Sequence, residues 1–127
     1  MNGKTVLIIE DNEQNLYLMR FLLEKNGFVV AEATDGPKGI EAARTLQPDL
    51  ILLDIQLPRM DGYAVASELR RQTALETIPI IAVTSYAMIG DRERALDSGA
   101  TDYIEKPINP FTFVEQIRRH FVTADPK

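Results

Sequence analysis

The chain has no cysteine, and its one histidine is His120. Without thiols there is no disulfide framework, no thiolate zinc site and no cysteine nucleophile, which fits a reducing, cytoplasmic setting. Positive charge is also short. Fourteen Lys and Arg against 19 Asp and Glu give a formal net charge of −5. The pairs Arg70-Arg71 and Arg118-Arg119 read as solvated helix faces rather than phosphate-binding patches. Direct nucleic-acid binding needs a basic face and is not expected. No apolar run reaches the ~18 residues of a membrane span. The start, Met1-Asn2-Gly3-Lys4, leads into only a few uncharged residues before Glu10-Asp11, too few for a signal-peptide core. No membrane insertion is expected. Repeats, low-complexity tracts and linkers are absent as well. A length of 127 residues suits one domain, 1–127 with a core at about 4–122, and leaves no room for a second ordinary folded unit.

What the chain does have is a set of apolar runs that each stop at a polar residue. Leu50-Ile51-Leu52-Leu53 ends in Asp54 and turns at Pro58 and Gly62. Without alternation, such a run reads as a strand buried on both faces, the pattern of a central parallel strand between helical layers. Thr5 to Ile9 ends in Glu10-Asp11, and Ile80 to Val83 ends in Thr84. Tyr103-Ile104-Glu105 runs into Lys106-Pro107. Val29 to Ala33 is the remaining strand. Helices are expected from Asn12 or Glu13 to the stop at Asn26-Gly27, from an opening at Asp35-Gly36-Pro37 to about Leu46, from about Tyr63 to Gln72, near Asp91 to Ser98, and from Asn109-Pro110 to about Phe121. Strict alternation with short connections implies right-handed crossovers. The fold class is α/β: a doubly wound five-stranded parallel sheet, order 2-1-3-4-5, with five helices, the flavodoxin-like arrangement.

In such sheets ligands bind beyond the carboxyl ends of the strands. Glu10, Asp11, Asp54, Thr84 and Lys106 all fall there. Three carboxylates brought together repel one another unless a cation sits among them. Their all-oxygen chemistry suits Mg²⁺, with Mn²⁺ possible, and such a site shares its remaining positions with a phosphate oxygen. An Asp carboxylate can itself be the nucleophile that forms an aspartyl phosphate, with Lys106 and Thr84 supplying positioning and charge neutralisation.

These segments, Val6 to Asn12, Leu50 to Gly62, Ile80 to Thr84 and Tyr103 to Pro107, resemble the receiver domains of two-component response regulators, and the resemblance covers essentially the whole chain. It implies that Asp54 is the phosphoacceptor, and that Asp11, Asp54 and the carbonyl of Gln56 bind the metal directly. Glu10, standing where many receivers carry Asp, would act mostly through metal-bound water. Thr84 and Lys106 would hold phosphoryl oxygens. Thr84 and Tyr103 would form the switch, with Tyr103 moving from an outward to an inward rotamer, and the Lys106-Pro107 bond would be cis. The segments Glu10 to Asn15 and Ala87 to Glu93 look closest to DivK-like single-domain regulators and to receivers of hybrid histidine kinases. The early Met1 and short tail favour a free-standing protein with no output domain; a receiver excised from a hybrid kinase or a larger regulator is the alternative.

A domain of this kind is no enzyme beyond its own phosphorylation and dephosphorylation. An aspartyl-phosphate phosphatase needs a second Asp two residues after its nucleophile, and Gln56 stands there. A flavodoxin-like cofactor binder needs a phosphate-cradling loop after the first strand, where Glu10-Asp11-Asn12 would repel phosphate unless metal intervenes. His120, far from the carboxylates, cannot serve as an internal donor, so the phosphoryl group must come from a histidine kinase or a histidine phosphotransfer protein. Signalling then proceeds through contact with a downstream protein target. On the first helix, Leu18, Met19, Leu22 and Leu23 form the buried stripe, while Tyr17 and Phe21 lie off it and are candidates for partner docking. Met60 and Met88 read as packing residues.

Overall fold

The computed structural model describes residues 3–85 and 90–121. In chain order the elements are β1 (Thr5–Ile9), α1 (Glu13–Lys25), β2 (Val29–Ala33), α2 (Gly36–Leu46), β3 (Leu50–Asp54), α3 (Gly62–Arg70), a 3-10 turn (Thr73–Leu75), β4 (Ile80–Thr84), α4 (Asp91–Ser98), β5 (Asp102–Glu105) and α5 (Phe113–Arg118). The strands form one parallel sheet in the order β2-β1-β3-β4-β5. This is the doubly wound topology expected of the alternating pattern.

The period of two along each strand divides the core between the two faces of the sheet. Val6, Ile8, Leu50, Leu52, Ile81 and Val83 face α1 and α5, meeting Met19, Leu23, Phe113 and Ile117. Leu7, Ile9, Ile51, Leu53 and Ile80 face the other way, against Ala43 of α2 and Val65, Ala66 and Leu69 of α3. Ala82 meets Ala95 of α4 in a smaller cluster with Ile55 and Ala100. Every residue of β3 and β4 is buried, which is why these runs carry no alternation.

Local chemistry sets the helix starts. Asn12, Asp35 and Asp61 each accept a hydrogen bond from the backbone N–H three residues on, capping α1, α2 and α3. Gly62 is required by close approach. A Cβ there would come 2.5 Å from Ile55 Cα and 2.6 Å from the Asp54 carbonyl oxygen, so the start of α3 can fold back over the end of β3.

Three helix boundaries differ from the sequence expectation, the end of α3 and both ends of α5. α3 stops at Arg70 rather than near Gln72, and the chain tightens into the 3-10 turn that inserts the fully buried Leu75. Arg70 holds that turn. Its Nη1 donates to the carbonyls of Leu75 (3.0 Å), Glu76 (3.3 Å) and Ile78 (2.6 Å), its Nε to that of Gly99 (2.8 Å) and its Nη2 to Thr101 Oγ1 (3.0 Å). Burial lowers the pKa of its guanidinium. α5 begins at Phe113 rather than at Asn109-Pro110, because the Asn109 side chain is spent on the Phe111 N–H and its carbonyl on Thr112 and Phe113. Beyond Arg118 the chain continues through turn hydrogen bonds to Phe121. Met60 packs against the α2 and α3 side of the core, whereas Met88 and the tail from residue 122 lie outside the described residues. Among the described residues no helix is long and apolar enough to cross a membrane.

Candidate functional site

Parallel register brings the strand ends level. Asp54 lies opposite Val83, and Thr84 opposite Glu105. Glu10 prolongs β1 by donating its N–H to the Ala33 carbonyl, and Lys106 prolongs β5 by donating to that of Thr84. Glu10, Asp54 and Thr84 are buried while Asp11 is exposed. The residues that the sequence separates by up to 96 positions therefore meet at one rim, above an open cleft of about 510 Å³.

Lys106 Nζ stands 3.0 Å from Glu10 Oε1 and 3.3 Å from Asp54 Oδ2, and its side chain is only 8% exposed. The Lys106-Pro107 peptide is cis. Glu10, Asp11 and Asp54 each offer a carboxylate oxygen, all within 4.8 Å of one another. One ammonium against three carboxylates leaves the rim short of positive charge. Burial first, and then the neighbouring Asp54, push the Glu10 pKa from 4.5 up to about 7, against the opposing pull of Lys106. Glu10 Oε1 is buried and, despite its closeness to the ammonium, accepts no hydrogen bond. Three carboxylate oxygens gathered around one ammonium make an all-oxygen donor set that fits a small hard cation such as Mg²⁺.

Gln56 does more here than sequence reasoning assigned to it. Its main-chain N–H donates to Asp54 Oδ1 (2.9 Å), its Nε2 to Thr84 Oγ1 (2.5 Å), and its Oε1 accepts from the Ser85 N–H (3.1 Å). The sequence signal for the side chain was slight: a polar residue two places beyond Asp54, read only for what it could not donate. Ser85, which lines the cleft, carried no signal at all.

Tyr103 lies away from the carboxylates. Its ring packs with that of Tyr63 against the Ile55, Ala82, Ala95 and Ala100 cluster, and its hydroxyl is buried without a partner. Burial, then Asp91, Tyr63 and Glu105, raise its pKa. Tyr17 and Phe21 are 62% and 48% exposed, with rings stacked at 6.2 Å between centroids, on the helix whose first residues line the cleft. His120 lies close to the end of the described residues with Nε2 2.9 Å from Asp102 Oδ2, and both side chains are largely covered. Phe111, 94% exposed just beyond Pro110, was not singled out by the sequence.

Residues 6–118 match the family model described as the response regulator receiver domain. The polar-differentiation response regulator DivK of Brucella anthropi is 44% identical over 121 residues, which cover 95% of this chain and 98% of that protein. Among solved structures, a putative response regulator from Chloroflexus aurantiacus superposes with a TM-score of 0.91 at 25% identity, covering 96% of this chain and all of that one. The receiver domain of sensor histidine kinase PA1611 from Pseudomonas aeruginosa, solved with a magnesium ion coordinated in its active-site cleft, superposes with a TM-score of 0.88 at 34% identity, covering 95% and 99%.

Proposed function

Because the chain belongs to the response regulator receiver family, a signalling phosphoacceptor rather than an enzyme acting on other substrates, we propose that Asp54 is its phosphoacceptor. The observation that carries this assignment is the pairing of a buried Asp54 with the buried Lys106 ammonium at 3.3 Å, on the floor of an open acidic cleft. An Asp54 carboxylate oxygen attacks the phosphorus of a phosphohistidine on a partner protein. The new P–O bond forms as the P–N bond breaks, and the imidazole leaves with the electron pair and takes a proton from solvent.

Glu10, Asp11, Asp54 and the carbonyl of Gln56 would hold Mg²⁺, or Mn²⁺, which supplies charge neutralisation for the incoming phosphoryl oxygens. Lys106 adds the fixed positive charge and Thr84 a hydroxyl donor. Thr84 and Tyr103 form the switch. The partners are a histidine kinase or a histidine phosphotransfer protein upstream and a protein target downstream, in the cytoplasm. Tyr17 and Phe21, stacked and exposed beside the cleft, fit the apolar face of a phosphotransfer helix.

Residues 1–127 then act as one receiver domain, a reading that the match across 98% of DivK supports. The second reading, a receiver that works within a hybrid kinase, draws on the likeness to the PA1611 receiver. Acetyl phosphate with Mg²⁺ should add one phosphoryl mass to the protein, and chelator should abolish the gain. Equal labelling of Asp54→Asn would overturn the assignment.

A further inference from the structure

Gln56 is bonded at three points inside the site, while the function proposed above takes from it only a main-chain carbonyl. The two side-chain bonds, to Thr84 Oγ1 at 2.5 Å and from the Ser85 N–H at 3.1 Å, bridge 28 and 29 residues of sequence. They fasten the loop after β3 to the last residue of β4 and to the residue beyond it. A carboxamide has one donor end and one acceptor end. Here both ends are used on consecutive residues, and the third bond, from the Gln56 N–H to Asp54 Oδ1, keys the same residue to the nucleophile.

We infer that the Gln56 side chain is a positioning residue, a two-point tie that holds Thr84 and Ser85 in their unphosphorylated place and that a phosphoryl group on Asp54 must release. The inference rests on the phosphoacceptor reading of Asp54. A phosphoryl group brings acceptor oxygens. Within the cleft it competes with Gln56 Oε1 for the Ser85 N–H, and a Thr84 that shifts toward Asp54 has to leave its contact with Nε2. Neutral hydrogen bonds of ordinary strength make the tie a bias of roughly 10-fold toward the resting state.

Amide exchange at Ser85 reads the tie with no phosphate present. Gln56→Met keeps the length of the side chain and removes both bonding groups, so exchange at Ser85 should speed up roughly 10-fold. Gln56→Glu, whose carboxylate still accepts from the Ser85 N–H, should restore slow exchange. The main-chain carbonyl proposed to meet the cation is present in both variants. At saturating Mg²⁺, the affinity for beryllofluoride, a phosphoryl mimic, followed through the Tyr103 ring signals, should rise roughly 10-fold in Gln56→Met. Unchanged Ser85 exchange in that variant, or an affinity no higher than the parent's, overturns the tie. A parent protein that takes up no beryllofluoride would instead overturn the phosphoacceptor reading, and the exchange experiment would still decide the tie alone.

Discussion

Replacing Glu10 with glutamine should make the metal-free protein more stable at pH 8, although it removes a partner of Lys106. The Glu10 carboxyl has its pKa raised from 4.5 to about 7. Each pKa unit is worth about 1.4 kcal/mol, so the full shift corresponds to about 3 kcal/mol. The sign follows from linkage. Between pH 4.5 and 7 the folded protein keeps a proton that the unfolded chain has lost, so stability falls as pH rises through that window and stays low above it. Glutamine escapes this loss but still buries an amide, and a gain of about 2 kcal/mol at pH 8 is the expected result. With a urea slope of about 1–3 kcal/mol per molar, the midpoint should move up by roughly 1 M. Urea unfolding at pH 5, 6, 7 and 8 in chelator would show the parent losing stability against the variant as pH rises. Adding Mg²⁺ should cancel the variant's advantage, because the cation offsets the charge that the substitution removes. Parallel pH curves for parent and variant in chelator would refute the reasoning.

Three further outcomes can be checked. Thr84→Ala should still take a phosphoryl group on Asp54 from acetyl phosphate but fail to transmit it; phosphorylation-dependent NMR shifts around Tyr103 as large as the parent's would contradict the switch. Arg70→Ala should destabilise the protein by roughly 3 kcal/mol in urea, since a charged donor and the carbonyls it serves are lost together, and Arg70→Lys should recover little because a single ammonium cannot span them. A loss under ~0.5 kcal/mol in the alanine variant would show that water replaces the guanidinium. Replacing both Tyr17 and Phe21 with Ala should leave labelling by acetyl phosphate intact and slow transfer from a cognate phosphohistidine protein. Equal loss with both donors would make the pair a packing feature.

The sheet was legible because its strands are buried on both faces, so Leu50 to Leu53 or Ile80 to Val83 cannot be read as anything amphipathic. The rim was legible for the same reason: a charged or hydroxyl residue at the end of such a run has nowhere to go but the crevice. The start of α5 was not, since Asn109 and Pro110 are equally good at opening a helix and at building the turn before one. Nor were contacts made by side-chain reach across distant loops. The Gln56 amide meets Thr84 across 28 residues, and His120 meets Asp102 across 18. Neither leaves a periodic trace. The buried Tyr103 hydroxyl depends on how α3 and α4 pack around it, which no local pattern records.

Arg70 has a consequence for how this sequence can vary. Most of what its guanidinium binds is peptide carbonyl, at Leu75, Glu76, Ile78 and Gly99. Every amino acid carries that group, so these bonds put no demand on which residue supplies it. The segment from 71 to 79 is then free to exchange its exposed side chains, or to be spliced in from a relative, provided that Leu75 still fills its pocket. One codon at the end of α3 therefore stores the shape of a turn that its own nine codons leave largely unspecified.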